Sequence, residues 1–275
     1  MASLIDWLDL GERKRDTVCT LILLYGLLED YPVVALHNRY LGKDTLEQTP
    51  RRLNGGTVAP LDVASGGTWI GVNDSGLLLA ITNQETQWLP EPGRSRGLLA
   101  LDMLKECETA EEAKECLIDP GIRGLYRTGN FTVLDGQTAW HVVWDRETHI
   151  YPIDEGVYAL STITVVPGMA WSDRARSIWI DAEKRRARAY ELLSGYRPGS
   201  VGDAVAELMR VSADHGWGRS QASICWHSPE YRQTSSTIMA VAAEPGDSLV
   251  YYCEGNACEN RFKDYSKEGS VIREI

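Results

Sequence analysis

No run of about 18 uncharged apolar residues occurs in this 275-residue chain, so no transmembrane helix is expected. Basic residues are in deficit: 28 Lys and Arg stand against 39 Asp and Glu, a net charge of −11. Phosphate backbones demand a basic footprint, so nucleic acid is not an expected partner. The first ten residues lack both the positive start and the clean apolar centre of a secretory signal, because Asp6 and Asp9 interrupt their apolar part. A cytoplasmic location follows as the expectation. Six cysteines are too few to scaffold a chain of this length with disulfides, and a Cys253–Cys258 bridge is not expected in a reducing compartment. The C-x-x-C knuckle is also missing. Cys225, His227, Cys253 and Cys258 are the residues from which zinc ligands would come, but neither spacing is tight, and no metal site is assigned. No repeat, low-complexity tract or long linker is present. Phenylalanine is scarce, with 2 against 9 Trp and 12 Tyr. The aromatic surface is therefore mostly indole and phenol, which line cores and ligand clefts alike.

What the chain does contain is a series of hairpins interrupted by helices. Apolar runs at 19–25 and 31–36 are joined by a short loop. Runs at 68–72 and 77–82 flank Asn73-Asp74-Ser75-Gly76, a strong turn signal. Runs at 131–134 and 138–144 flank Asp135-Gly136, read as a type I′ turn. Runs at 236–243 and 248–253 flank Pro245-Gly246-Asp247. Neighbours joined this way are antiparallel. Helices are expected at 97–106, from a capping box at Thr109 to Glu112, at 175–193, and after Ser200, where Val201, Val205, Leu208 and Met209 form one stripe. Cys107 and Cys116 fall in the helical region as packing residues. Strands such as 21–24 and 33–36 are apolar at every position and so must be buried on both faces. Hairpins, then helices, then hairpins argue for an α+β domain of antiparallel sheets covered by helices.

The most informative residue is Cys19, which opens the first apolar run after a polar leader, Gly11 to Thr17. A cysteine that begins a strand becomes, if the leader is removed, both a thiol nucleophile and an α-amine base in one residue. The organisation expected is a leader, 1–18, and one domain, 19–275. The competing reading is a buried strand cysteine that packs as a small hydrophobe.

The residues from Cys19 to about Tyr265 resemble the NRDE family, also called the transport-and-Golgi-organisation-2-like family. The likeness is carried in order by Cys19-Thr20-Leu21-Ile22, Asn38-Arg39, Ala59-Pro60-Leu61-Asp62, Gly66-Gly67-Thr68-Trp69, Thr82-Asn83, Arg94-Ser95-Arg96-Gly97, Gly129-Asn130-Phe131 and Ser235-Ser236-Thr237. The end of the chain, with Cys225-Trp226-His227 and Gly255-Asn256-Ala257-Cys258, is similar to acyl-transferring cysteine proteins of the isopenicillin-N acyltransferase type. Both resemblances imply the N-terminal-nucleophile (Ntn) hydrolase superfamily and its four-layer α/β/β/α sandwich of two stacked antiparallel sheets.

The resemblance also implies roles. Cys19 would be the nucleophile, forming a thioester with an acyl or amide small molecule after autoproteolysis between Val18 and Cys19. Arg39 would hold its thiolate, and Asn83 would donate to an oxyanion. Trp69, Thr162 and His227 are the candidate substrate-binding residues. Gly66 and Gly67 would permit a tight backbone approach. Two departures stand out. The acidic pair expected after the arginine is replaced by Tyr40 and Leu41, with Asp44 the nearest substitute, and an expected amide is replaced by Thr162. They favour the alternative, a non-catalytic haem- or acyl-CoA/lipid-binding protein on the same fold, in which His37, His227 or Cys19 would be the axial ligand of haem. No cofactor is otherwise expected, and the sequence does not speak to oligomeric state.

Overall fold

The computed structural model of the chain describes residues 18–86 and 93–267; the leader, apart from Val18, lies outside them. In chain order the strands are β1 (Val18–Tyr25), β2 (Val33–Gly42), β3 (Glu47–Arg52), β4 (Val58–Asp62), β5 (Ile70–Val72) and β6 (Leu78–Asn83). Helices α1 (Arg96–Glu106), α2 (Ala110–Ile118) and the single turn α3 (Pro120–Arg123) follow. Next come β7 (Gly129–Leu134), β8 (Ala139–Trp144), β9 (Thr148–Pro152) and β10 (Gly156–Leu160), then α4 (Asp173–Leu192) and α5 (Val201–Ser212). The chain continues through β11 (Tyr231–Val241), β12 (Leu249–Glu254) and the short β13 (Lys263–Asp264).

The strands form two sheets, ordered β10-β1-β2-β11-β12-β13 and β3-β4-β5-β6-β7-β8-β9. Every strand pair is antiparallel. All eight residues of β1 are buried, because each face of the strand meets a different layer. Leu21, Leu23, Val33 and Ala35 pack between the sheets against Ile70, Leu78 and Ala80. Ile22, Leu24, Val34 and Leu36 turn the other way, onto Ala189, Leu193, Val205 and Leu208 of α4, α5 and their connection. On the far side Leu77, Leu79 and Ile81 meet Leu99, Met103, Leu104, Ala113 and Leu117 of α1 and α2. Three apolar interfaces between four layers give the α/β/β/α sandwich that the resemblance implied.

The four expected hairpins form, as β1–β2, β5–β6, β7–β8 and β11–β12. Thr109 caps α2 through Glu112 N, and Ser200 caps α5 through Asp203 N. The turn after β7 is not type I′, since among the described residues no non-glycine residue has positive φ, and Gly136 has none either. Asp135 makes the turn with its side chain instead: Oδ1 accepts from Gln137 N at 2.7 Å and Thr138 N at 2.8 Å. Such an Asx turn needs no left-handed residue.

Candidate active site

Strand alternation places the Cys19 side chain on the inter-sheet face, the face of Leu21 and Leu23, at the end of the sandwich where β1 begins and β2, β6 and β10 finish. Directly across the pair, Cys19 faces Arg39 on β2. The Cys19 backbone N–H donates to Thr162 Oγ1 at 3.2 Å, just beyond the end of β10. Cys19 is 1% exposed. Its predecessor Val18 pairs with Tyr40 and packs in a small cluster with Tyr40 and Trp226. Burial pushes the Cys19 thiol up to about 12, while the charges of Arg39, Arg96 and Arg185 pull it down and Glu47 opposes them. With Val18 attached, desolvation outweighs three guanidinium groups, so this sulfur is a thiol and not a thiolate.

Arg39 is held by two carboxylates, Glu47 at 2.9 Å and Asp62 at 2.6 Å. Its guanidinium lies 4.1 Å from the Trp69 ring centroid. Glu47 also accepts from Thr234 Oγ1 at 2.7 Å and Tyr252 Oη at 2.9 Å. The carboxylate partners of Arg39 thus come from β3 and the end of β4 and not from the residues that follow it in sequence. Asp44 lies exposed in the turn before β3. Tyr40, where an acid was expected, points to the helix side and donates to Ile224 O at 2.7 Å.

Two further arginines were not assigned from sequence. Arg96, the first residue of α1, donates to Asn83 Oδ1 at 2.5 Å and to Thr128 O. Burial lowers it to about 10. Arg185 of α4 is 1% exposed and donates to Gln221 O and to Ser161 Oγ at 3.3 Å. It stacks near Tyr40 and Trp226, at 5.5 and 5.3 Å. All of these acceptors are neutral, so both cations keep a field that reaches Cys19.

Glycines bring Arg96 there. A Cβ on Gly97 would stand 2.6 Å from Thr68 O, and one on Gly67 would run into the Gly97 backbone. With neither present, Thr68 N reaches Gly97 O at 3.1 Å. This contact joins the two sequence motifs Gly66-Gly67-Thr68-Trp69 and Arg96-Gly97, and sets the start of α1 against the end of β6. Asn83 sits at that end, 7% exposed, its Oδ1 fixed by Arg96. Because arginine only donates, the oxygen of this amide is identified, and Nδ2 is the face turned from Arg96.

Cys19, Arg39, Trp69, Asn83 and Thr162 therefore converge at one end of the sandwich. His227 does not join them: it meets His215, Cys225 and Cys258 instead. The two histidines weighed from sequence as haem ligands are otherwise engaged, His227 in that cluster and His37 in the core. His37 is 0% exposed, donates Nε2–H to Ile81 O at 2.9 Å and is pulled down to about 4 by burial. Glu47, Arg96 and Arg185 are the residues the sequence reading missed. Arg96 stood inside a quoted motif, whereas Glu47 and Arg185 carry no local signal, because only the sheet pairing and the packing of α4 bring them to Cys19.

Among the described residues no helix is long and apolar enough to cross a membrane. Solved structures share the fold over most of their length. A mutant conjugated bile acid hydrolase from Clostridium perfringens superposes with a TM-score of 0.55 at 13% identity, over 94% of this chain and 96% of that one. The Caenorhabditis elegans ortholog of N-acylethanolamine-hydrolyzing acid amidase gives 0.53 at 14%, over 81% and 92%. Penicillin V acylase from Agrobacterium tumefaciens gives 0.52 at 15%, over 94% and 91%. No curated protein matches by sequence. The family model described as Transport and Golgi organisation 2 (TANGO2) matches residues 19–254, and the chain belongs to that family.

Proposed function

We propose that this chain is a precursor of an Ntn cysteine hydrolase or acyltransferase, released by its own cleavage between Val18 and Cys19. The observation that carries the reading is the Cys19 backbone nitrogen, held 3.2 Å from Thr162 Oγ1 beside the in-register Arg39. After cleavage that nitrogen is the α-amine, and Thr162 keeps it next to its own sulfur.

In the first turnover the Cys19 sulfur bonds to the Val18 carbonyl carbon. The C–N bond breaks as the thiol proton passes to nitrogen, leaving residues 1–18 as a thioester. Water then cleaves the C–S bond, giving a Val18 carboxylate, a thiol and a free amine. Departure of Val18 vacates the space it fills against Tyr40 and Trp226. Solvent then reaches the sulfur, desolvation weakens, and the arginines with the new ammonium favour the thiolate.

A substrate acyl group enters the same cycle. The thiolate attacks the carbonyl, and the α-amine, with an ordinary pKa of about 7.7 to 8.0, carries the proton to the leaving amine or thiol. Water or an acceptor amine resolves the thioester. Asn83 Nδ2 and the field of Arg96 act on the oxyanion. Trp69 Nε1 and Arg39 Nε, both buried and without a hydrogen-bond partner among the described residues, are donors for a substrate oxygen or a water. The solved structures alike in fold are named as a hydrolase, an amidase and an acylase, which supports a linear C–N amide as substrate, with thioesters as the chemical alternative.

The test is the intact mass of the purified chain, followed by a thiol-reactive acyl probe. The expected results are loss of residues 1–18 and a probe adduct on Cys19. A folded chain that retains its full mass and leaves Cys19 unlabelled would refute the enzyme and favour non-catalytic acyl-CoA or lipid binding.

A further inference from the structure

A second cluster of reactive side chains lies outside the Cys19 site. His215 follows α5, Cys225 and His227 flank Trp226 on the approach to β11, and Cys258 lies in the turn after β12. One ligand atom from each of the four lies within 4.8 Å of all the others. His227 Nε2 is 3.1 Å from His215 Nε2, 3.5 Å from Cys225 Sγ and 3.3 Å from Cys258 Sγ.

Hydrogen bonds do not explain this arrangement. An imidazole nitrogen offers one proton or one lone pair, in the ring plane. Here one nitrogen is approached by a second imidazole nitrogen and two sulfurs, and by Asn256 Nδ2 at 3.4 Å. A cation at the centre satisfies all four ligands at once. With bonds of about 2.0–2.1 Å to nitrogen and about 2.3 Å to sulfur, a regular tetrahedron has edges of about 3.3 Å between nitrogens and about 3.5 Å between nitrogen and sulfur. The three separations from His227 Nε2 lie close to those edges, and all four atoms lie within 4.8 Å of one another.

We propose that His215, Cys225, His227 and Cys258 form a tetrahedral site for one zinc ion. Two thiolates and two imidazoles around a closed tetrahedral centre suit zinc, and four protein ligands leave no position for substrate, so the site is structural. Binding releases the two thiol protons, and the two thiolates neutralise the ion. The surroundings support the ligands: Asn256 Nδ2 lies 3.6 Å from Cys225 Sγ and donates to Trp226 O at 2.8 Å, while Cys225 N donates to Asp214 O at 3.0 Å.

The metal ties together three segments that have no strand pairing with one another at these residues. It also fixes Trp226, held between two ligands, whose ring stands 5.2 Å from that of Tyr40. Tyr40 and Trp226 form the wall against which Val18 packs. The zinc site therefore braces the seat of the residue that precedes Cys19. Cys253, the fourth ligand suggested by spacing, is buried in the helix-side core, and His215 takes its place.

The test uses the full chain without a histidine tag, grown with zinc and purified under reducing conditions. Elemental analysis is expected to find about one zinc per chain, and cobalt exchange to give the intense visible bands of a tetrahedral thiolate site. Cys258→Ser and His215→Ala are each expected to reduce zinc at least about tenfold, and Cys253→Ser to keep it. Should those variants not fold, chelation of the wild-type chain followed by cobalt addition gives the same spectral readout. Wild-type protein without zinc and without cobalt bands would overturn the proposal. So would unchanged zinc in the folded Cys258→Ser variant, or a Cys225–Cys258 disulfide that persists under reduction.

Discussion

Alkylation of Cys19 separates a sulfur that is merely buried from one awaiting release. With Val18 in place, burial carries the thiol from an ordinary 9.0 to about 12. Near neutral pH an ordinary thiol is about one part in a hundred thiolate, and one titrating near 12 is about one part in a hundred thousand. The difference is about a thousandfold, or about 4 kcal/mol at 1.36 kcal/mol for each tenfold step. The perturbation is loss of residues 1–18, which removes the Val18 packing and places an ammonium on the same residue. The assay is iodoacetamide labelling near pH 7, read by peptide mass on two species: one that retains the leader and one that begins at Cys19. The leader-bearing species is expected to label at least about a hundredfold more slowly than the same chain unfolded in urea. The species that begins at Cys19 is expected to recover most of that factor. If the folded, leader-bearing chain labels at Cys19 as fast as the unfolded one, the reasoning from burial fails.

Three further outcomes follow from the same geometry. Arg39→Ala leaves Glu47 and Asp62 without their shared cation, and a loss of about 3–5 kcal/mol is expected from urea unfolding; an unchanged midpoint would show that the buried ion triad contributes nothing. Gly67→Ala drives a methyl into the Gly97 backbone and is expected to destabilise the fold by about 1–3 kcal/mol, whereas Gly218→Ala, at a loop glycine with φ 71° and open space around its Cβ, tests backbone strain alone and is expected to be milder. His37 and His141 are pulled down by burial from 6.5 to about 4 and about 3, so the unfolded chain takes up protons below pH 6.5 that the folded chain refuses. Their contribution is complete above pH 6.5 and lost as pH falls, by about 2 kcal/mol each at pH 5. Equal urea midpoints at pH 7 and pH 5 would refute it.

Much of the architecture was legible because it is local. Asn73-Asp74-Ser75-Gly76 sets a turn whatever surrounds it, and the wholly apolar 21–24 and 33–36 cannot be satisfied by a sheet with one wet face. The edge strands β3 and β9 were not legible. Edge strands have one free side and mixed burial, so their composition resembles that of loops. The Asp135 turn differs for a related reason: Asp-Gly signals a bend, but not that the Asp135 carboxylate closes it through Oδ1 while Oδ2 accepts from the distant Ala110 N. Three of the four proposed zinc ligands stood out in the sequence, although no metal site was assigned from them. Cys225, His227 and Cys258 were marked by residue type, but His215 carries no pattern, and spacing favoured Cys253 over it.

By itself the sequence determined the hairpins, the helix caps, the burial of β1 on both faces and the singular position of Cys19 at a strand start after a polar leader. These follow from near-neighbour sterics and from the period of a strand, which act within a few residues. Only the tertiary structure decided that Glu47 and Asp62 pair with Arg39, that Arg96 and Arg185 direct their charge at the sulfur, that Thr162 holds the nitrogen, and that His227 lies in another cluster. Those residues meet across two sheets and two helix layers, and charge acts through space rather than along the chain.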